Sequence, residues 1–290
     1  MIDLHTHSTA SDGSLSPSEL VNYAHEKGVQ VLAITDHDSV QGISQAQEEA
    51  KKIGLTFIPG IEISIDWPTG EFHLLGLGLK NQSSELKKII DFLEQERFNR
   101  NIQMIQKLNE CGIDITYEEL VEHFHTENLG RPHFAELMVK KDYVKQRQQA
   151  FDLYFAKDRK CYVDRKGANL EESVNAIKKS GGIPIQAHPM SMYVSWGKME
   201  NTMIEIQSKG VKGLEAYHPG VRLSEAARLE ELGKKLGMII TAGSDFHGEK
   251  IRADRKIAYS AGKKKIEDRF FFEELKPELD KLHEDYWFEG

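Results

Sequence analysis

The sequence contains little of what marks secreted or membrane proteins. It has two cysteines in 290 residues, Cys111 and Cys161, and they form no Cys-x-x-Cys motif. A disulfide framework is therefore not expected, and a reducing cytoplasm is the expected compartment. No stretch is apolar for long enough to cross a bilayer, and the first residues lack the basic start and apolar run of a signal peptide.

The sequence also lacks an excess of positive charge. Its net charge is −8, whereas a protein that holds bulk nucleic acid needs a basic face. An anionic substrate held by metal ions is still allowed, because bound cations override the global charge locally. With 39% hydrophobic and 29% charged residues, the composition indicates a folded globular protein and leaves its oligomeric state open.

Seven short apolar segments read as strands and alternate for the most part with helical patterns. The predicted strands cover residues 1–4, 29–34, 55–61, 72–77, 183–187, 211–216 and 238–242. Such alternation is typical of an α/β protein with parallel strands and helical crossovers. On this pattern alone, a closed barrel and an open doubly wound sheet fit equally well.

The strand signal nearly disappears in the middle of the chain. Between residues 83 and 155 the sequence is charged and mostly helical in its periodicity. We therefore predict a helical insertion at 98–165 within a domain formed by 1–97 and 166–262. The charged tail, 263–290, is expected to be helical and to pack on that domain, with Trp287 among its contacts.

Histidines and acids stand at or beside the predicted strands. His5 and His7 follow the first strand, and Asp245 and His247 follow the last. The carboxyl ends of parallel strands meet on one face, so these side chains are expected to converge. The full set of candidate metal ligands is His5, His7, Asp12, His37, Glu62, His73, His188, Asp245 and His247.

The chemistry of this set favours divalent metal ions. In an extended His-x-His segment both imidazoles lie on the same side. Imidazole and carboxylate without thiolate suit Zn²⁺, Mn²⁺ or Fe²⁺, and nine donors are enough for two or three sites. Each residue alone has an ordinary explanation: Asp36 or Asp245 could cap a helix, and Glu62 could pair with a lysine. Their joint occurrence at strand ends favours the metal site.

Four sequence blocks resemble the PHP family, the polymerase and histidinol phosphatase superfamily. They are DLHTHS (Asp3–Ser8), ITDHD (Ile34–Asp38), AHP (Ala187–Pro189) and GSDFH (Gly243–His247). The resemblance implies a distorted (β/α)₇ barrel with a helical insertion domain that caps the substrate, and a centre of three divalent metal ions. Carried over by position, the first ion would bind His5, His7, Glu62 and Asp245, the second Asp12, His37 and His247, and the third Glu62, His73 and His188.

Within this family the chain is most similar to a stand-alone bacterial branch with a helical insertion. The resemblance rests on Gly130–His133 (GRPH) and Tyr162-Val163; the segment Lys157–Lys160 and Gln186 depart from the usual pattern. It implies hydrolysis of 3′,5′-bisphosphonucleosides and, in some members, of short RNA from its 5′ end. The candidate substrate-binding residues are Arg131, His133, Arg165 and His218, and Lys166 is a further candidate beside Arg165.

These candidates also have ordinary explanations. Arg131 could form a salt bridge within the insertion, and His218 could be a turn residue before Pro219. The remaining histidines, expected to be exposed to solvent, are His25, His123, His125 and His283.

The leading hypothesis is a cytoplasmic metal-dependent phosphoesterase acting on small nucleotides. In it the catalytic side chains are those that hold the metal: His5, His7, Asp12, His37, Glu62, Asp245 and His247. A histidinol-phosphate-type phosphatase is an alternative with the same chemistry. A non-catalytic metal-binding module is an alternative of another class, although such modules typically lose ligands and here all nine positions are filled.

Overall fold

The computed structural model describes residues 1–124, 126, 128–249 and 251–282. The chain divides into two compact units, one formed by residues 1–90 and 167–290 and the other by residues 91–166. Among the described residues, no helix combines the length and the apolar character that crossing a membrane requires.

The first unit is built on a seven-stranded sheet whose neighbours follow chain order from the first strand to the last. The strands are β1 (Ile2–Asp3), β2 (Val31–Ile34), β3 (Thr56–Ile65), β4 (Phe72–Leu77), β5 (Ile183–Gln186), β6 (Gly213–Tyr217) and β7 (Ile239–Ala242). Several of them are continuous buried apolar runs, as in Val31–Ile34, because parallel strands are covered on both faces. The expected seven-stranded α/β barrel is confirmed.

The strand β4 differs from the parallel arrangement that the alternation predicts. It runs antiparallel to both β3 and β5, whereas the other neighbouring strands are parallel. The reason is that β3 continues to Ile65, beyond its predicted end at Ile61, and leaves six residues before Phe72. A connection of that length makes a hairpin, while a parallel crossover needs a dozen or more residues.

The two ends of the sheet meet just beyond β1 and β7. Thr6 forms a parallel bridge with Phe246. The amide of His7 donates to the carbonyl of Phe246 at 2.9 Å, and the amide of Asp245 donates to the carbonyl of His5 at 2.9 Å. These hydrogen bonds close the sheet into a barrel and align His5-x-His7 beside Asp245-x-His247.

Helices cover the barrel strands. They are α1 (Pro17–Glu26), α2 (Ile43–Ile53), α7 (Leu170–Lys179), α8 (Trp196–Ser208) and α9 (Leu223–Lys235). Local interactions determine where α1 begins. Ser16 and Glu19 form the capping box that the sequence indicates, and Pro17 is the first helical residue. Leu20, Val21 and Ala24 of α1 are buried, so its apolar stripe faces the strands.

The second unit is helical and has its own core. Its helices are α3 (Ser84–Glu110, which begins in the first unit), α4 (Tyr117–Phe124), α5 (Arg131–Lys140) and α6 (Arg147–Ala150), followed by a π-helical turn (Phe151–Phe155). Met104, Phe134 and Phe155 are among its fully buried side chains. The helix predicted from residue 91 begins seven residues earlier. The predicted insertion, 98–165, lies within this unit, and its role as a substrate cap remains a prediction.

From Phe270 onward the described part of the C-terminal tail is helical and packs on the barrel strands. It forms a π-helical segment (Phe270–Leu275) and α10 (Lys276–Leu282), with Phe270 and Phe271 buried. Trp287 lies outside the described residues.

Candidate metal centre

The residues His5, His7, Glu62 and Asp245 form the most buried group of the barrel edge. Their ligand atoms lie within 4.8 Å of one another. The Nε2 atoms of His5 and His7 are 3.1 Å apart, and each is 3.2 Å from Oε2 of Glu62. Oδ1 of Asp245 is 3.3 Å from Nε2 of His7. Four donor atoms from three distant segments therefore point at one small volume.

A second group shares His7 and adds Asp12, His37 and His247. Asp12 lies in the loop after β1, and its Oδ1 is 3.2 Å from Nε2 of His247. The rings of His7 and His247 stack with centroids 4.0 Å apart, and those of His7 and His37 are 4.5 Å apart. The loop carboxylate and the two strand-end imidazoles are thus neighbours of the first group.

Glu62 joins a third group to the first. Its Oε1 is 2.9 Å from Nδ1 of His73 and 3.0 Å from Nε2 of His188, while its Oε2 faces His5, His7 and His37. His73 reaches this edge from the start of β4 because that strand runs antiparallel, so its first residues lie at the carboxyl ends of its neighbours. One carboxylate therefore lies between two clusters of imidazoles.

The donor set fits divalent cations. Oε2 of Glu62 and Oδ1 of Asp12 are buried, and although imidazole nitrogens lie close to both, neither atom accepts a hydrogen bond of good geometry from the described residues. A buried carboxylate oxygen that accepts no hydrogen bond is costly unless a cation compensates its charge. Imidazole and carboxylate donors at such separations are the ligands that Zn²⁺, Mn²⁺ and Fe²⁺ take.

The pKa of Glu62 also agrees with a site for cations. Burial raises the pKa of its carboxyl, but the imidazoles of His37, His5 and His73 outweigh burial and hold the pKa well below its ordinary value. The carboxylate is therefore charged at neutral pH and is able to bind a cation.

Strained backbone occurs at two of the candidate ligands. His188 has φ 27° and Asp245 has φ 50°, values that residues other than glycine rarely adopt. Such conformations cluster where the surrounding structure imposes a functional geometry.

Glu215 was not among the residues that the sequence indicated. It lies buried in β6, where its Oε1 accepts from Nδ1 of His5 at 3.1 Å and its Oε2 accepts from the amide of His188 at 2.9 Å. A carboxylate that binds the far nitrogen of a metal-binding histidine fixes the ring and its tautomer. The available signal was a single acid inside the apolar strand Gly213–Tyr217.

His218 and Arg252 both contact Asp245. Nε2 of His218 and Nη1 of Arg252 each lie 3.2 Å from its Oδ2, while Oδ1 faces the histidine cluster. His218, a candidate substrate contact in the sequence, is therefore placed beside the centre. Arg252 was missed because nothing in its local sequence distinguishes it from a surface arginine.

Buried aspartates hold the ligand-bearing segments. Asp3 accepts from the amide and hydroxyl of Ser244, at 2.9 and 2.6 Å, and burial raises the pKa of Asp3 to about 6. Asp36 accepts from the hydroxyl groups of Ser8 and Ser11 at 2.7 and 2.6 Å. Asp3 and Asp36 thus hold, through hydrogen bonds, the segments that carry the candidate metal-binding histidines.

The other substrate-binding candidates lie in the second unit. Arg131 begins α5, and its Nη1 donates to the carbonyl of Phe155 at 3.4 Å. Nδ1 of His133 accepts from the amide of Gly130 at 2.8 Å, so this histidine caps the same helix. The amide of Arg165 donates to Oδ1 of Asp164 at 3.0 Å. Their roles in substrate binding remain predictions.

Two of the four histidines expected to be exposed to solvent lie within the described residues. His25 is exposed, and Nδ1 of His123 lies 3.0 Å from the ammonium group of Lys140. His125 and His283 lie outside the described residues.

The family model described as "PHP domain" matches residues 3–167, more than half of the chain. The chain belongs to the PHP family. Curated relatives agree: a 5′-3′ exoribonuclease of Haemophilus influenzae is 31% identical over 84% of this chain and 89% of its own length. A 3′,5′-nucleoside bisphosphate phosphatase of Chromobacterium violaceum is 30% identical over 85% of this chain and 87% of its own.

A solved structure supports the fold of this PHP protein. A structure described as an amidohydrolase from Chromobacterium violaceum superposes with a TM-score of 0.85 at 27% identity, and the match covers 97% of this chain and 96% of that one. The PHP protein is accordingly a metal-dependent phosphoesterase, which is a hydrolase of phosphate esters.

Proposed function

We propose that this PHP protein hydrolyses phosphate monoesters of small nucleotides, with 3′,5′-bisphosphonucleosides as the first substrate class and the 5′ ends of short RNA as the second. The observation that supports it best is the position of Glu62 between two clusters of imidazoles, since multimetal sites of this kind suit phosphoryl transfer. The relatives named above, a bisphosphate phosphatase and an exoribonuclease, favour these two substrate classes.

Three divalent ions are part of the proposal. The assigned ligand sets are His5, His7, Glu62 and Asp245; Asp12, His37 and His247; and Glu62, His73 and His188. The support is geometric: donor atoms within the first and third sets lie 2.9 to 3.6 Å apart, and those of the second set lie within 4.8 Å of one another. Mn²⁺, Zn²⁺ and Fe²⁺ all suit these donors.

When bound, such ions supply Lewis acidity that activates water and neutralises charge on the phosphoryl group. Neighbouring residues of the chain orient the candidate ligands so that their donor atoms face the cluster. Glu215 accepts a hydrogen bond from Nδ1 of His5, so the lone pair of Nε2 faces the cluster. His218 and Arg252 hold Oδ2 of Asp245 and leave Oδ1 for the cation.

The cluster is accessible from one side. The side chains of His37 and His73 are 18% and 19% exposed and that of His188 is 12% exposed, while His5 and His7 are fully buried. We infer that the phosphate ester enters beside the three partly exposed imidazoles.

We propose Arg131 as the residue that grips a second phosphate, with His133 and Arg165 assisting, because guanidinium binds phosphate through two parallel hydrogen bonds. Arg131→Ala should raise KM for a 3′,5′-bisphosphate about tenfold or more and change KM for a monophosphate little. Arg159→Ala, another arginine of the second unit with an exposed side chain, is the matched control. Equal effects on both substrates would remove this role from Arg131.

A turnover screen tests the function itself. Metal-free protein is reconstituted with Mn²⁺, Zn²⁺ or Fe²⁺ and given 3′,5′-bisphosphoadenosine, a 5′-phosphorylated oligoribonucleotide or histidinol phosphate. Released phosphate and mononucleotide are measured, with Glu62→Gln as the inactive reference. Hydrolysis of the first two substrates supports the proposal, and preference for histidinol phosphate would replace it with the alternative phosphatase.

A further inference from the structure

The two cysteines of the chain, fifty residues apart in sequence, meet in the second unit. Cys111 directly follows α3, and Cys161 follows the π-helical turn. Their Sγ atoms are 3.8 Å apart. A disulfide bond is about 2.05 Å long, so the sulfurs need to approach by a further ~1.8 Å, within reach of a side-chain rotation.

The two thiols differ in environment. Cys111 is exposed, while Cys161 is fully buried in the core of the second unit. The thiol of Cys161 donates a hydrogen bond to Sγ of Cys111. Burial and this hydrogen bond raise the pKa of Cys161 to about 12, so Cys161 keeps its proton. The exposed sulfur is the one that an oxidant reaches first.

A positively charged side chain lies beside the cysteine pair. Lys107 lies one helical turn before Cys111, and its ammonium group donates to the carbonyl of Tyr162 at 2.8 Å, beside Cys161. The pair therefore has an accessible sulfur, a buried partner in contact with it and a nearby cation.

We propose that Cys111 and Cys161 form a modification site at which a small peroxide converts the dithiol into an intramolecular disulfide. The Cys111 thiolate attacks one peroxide oxygen; the O–O bond breaks, and sulfenic acid and hydroxide form. The sulfur of Cys161 then attacks the Cys111 sulfur; the S–S bond forms, the S–O bond breaks, and the leaving hydroxide takes the Cys161 proton. Two thiols and one hydrogen peroxide thus give one disulfide and two waters.

The product would tie the end of α3 to the segment after the π-helical turn. The closed loop contains α4, α5 and α6. Linking its ends restricts the unfolded chain, and a loop of this length gives a large effect in the chain-entropy model. We therefore expect the oxidised second unit to resist local opening and proteolysis, and a thiol reductant to reverse the change.

The test uses the full chain loaded with metal. Reduced protein is treated with increasing hydrogen peroxide, quenched with an alkylating reagent and examined by thiol titration and intact mass under denaturing conditions. Free thiols should fall from two to none per chain, with a mass loss of ~2 Da and a peptide that joins Cys111 to Cys161. Dithiothreitol should restore both thiols, and the oxidised protein should survive protease several-fold longer.

Cys111→Ser is the matched control because its side chain is exposed and the change leaves the core intact. Its remaining thiol should stay unmodified at peroxide doses that oxidise the native pair. Cys161→Ala should stop at sulfenic acid on Cys111. Disulfide-linked dimers or sulfinic acid on Cys111 in the native chain, without the internal cross-link, would overturn the proposal. Because the readout is covalent, it does not depend on which phosphate ester the enzyme hydrolyses.

Discussion

Glu62 and Glu215 illustrate how individual side chains build the candidate metal centre. Glu62 has both oxygens directed at imidazoles, whereas Glu215 reaches the centre through His5 and the amide of His188. The first is a candidate ligand and the second a positioning residue. A substitution at either residue should weaken metal binding. The loss should be larger for Glu62, because a metal–ligand bond is removed, than for Glu215, whose loss only leaves the His5 ligand less well oriented.

Glu215→Gln tests the positioning role. The amide keeps the size of the side chain but removes the negative charge that faces Nδ1 of His5. We expect metal affinity to fall about 10–100-fold, and activity to recover at high metal concentration. Metal titration followed by elemental analysis checks this. Glu205→Gln, on the exposed part of α8, should change nothing. An affinity equal to that of the native protein would show that Glu215 has no part in the centre.

At the scale of elements, the segments that follow β1 and β7 fix the geometry of the candidate metal centre, because they approach each other closely. Gly243 directly follows β7, and a Cβ atom there would lie 2.2 Å from Cβ of His5 and 2.6 Å from Oε1 of Glu215. Since these contacts are far below van der Waals distance, the close approach of the first and last segments requires glycine.

Gly243→Ala should therefore separate the segments that close the barrel. We expect a loss of about 2–3 kcal/mol in the free energy of unfolding and weaker metal binding. Gly197→Ala in α8 is the control, because a Cβ there meets nothing within 4 Å and alanine favours a helix. Urea denaturation measures the free energy of unfolding of both variants. A Gly243→Ala protein as stable as the native one would contradict the close contact.

The C-terminal segment is attached to α9 by an ion pair. Arg269 binds both oxygens of Glu230, at 2.9 and 3.0 Å, and Tyr217 and Lys234 also donate to that carboxylate. Burial raises the pKa of Glu230, but hydrogen bonds from Arg269, Lys234 and Tyr217 outweigh it and lower the pKa to about 2. The ordinary value is 4.5, so the charged form is stabilised by folding.

Arg269→Ala should cost about 1–2 kcal/mol at pH 7, a value reduced for partial solvent screening. Because the folded pKa is depressed, the contribution of Glu230 is complete above pH 4.5 and declines as pH falls toward 2. The difference from the native protein should be constant from neutral pH to about pH 5 and then narrow. Urea unfolding at several pH values checks this, with Lys235→Ala as the surface control. A difference that does not change with pH would exclude this ion pair as its source.

At the scale of the whole molecule, the candidate metal centre connects segments from both ends of the barrel unit. His5, Glu62 and Asp245 come from the beginning, middle and end of that unit. Ions bound there would cross-link these segments in the native state and would bind the unfolded chain weakly. Metal binding and folding stability are therefore expected to be linked.

Removing the metal should lower the stability of the protein. A single site filled at about 100 times its Kd adds about 2.7 kcal/mol to the free energy of unfolding. Chelation should therefore lower the thermal midpoint, and Mn²⁺ should restore it. Calorimetry of the chelated and reloaded protein measures the effect, and Glu62→Gln should reduce it. Identical midpoints with and without metal would mean that the cluster does not bind ions in the native state.

The sequence by itself determined the positions of the strands, the start of α1 and the side chains that converge. Continuous apolar runs such as Val31–Ile34 and the capping box of Ser16 and Glu19 are local signals, so the strands and the helices between them could be predicted, whereas the closed barrel was implied by the resemblance to the PHP family. The histidines and acids at the strand ends could be named for the same reason, because their spacing along the chain reflects the period of a strand.

Only the tertiary structure decided how these elements combine. The antiparallel direction of β4 followed from four extra residues of β3, which propensity does not resolve. Glu215 and Arg252 became part of the centre through contacts with His5 and Asp245, and Cys111 met Cys161 across fifty residues. Local patterns depend on near neighbours, whereas such contacts arise only when the chain closes on itself and brings distant residues within bonding distance.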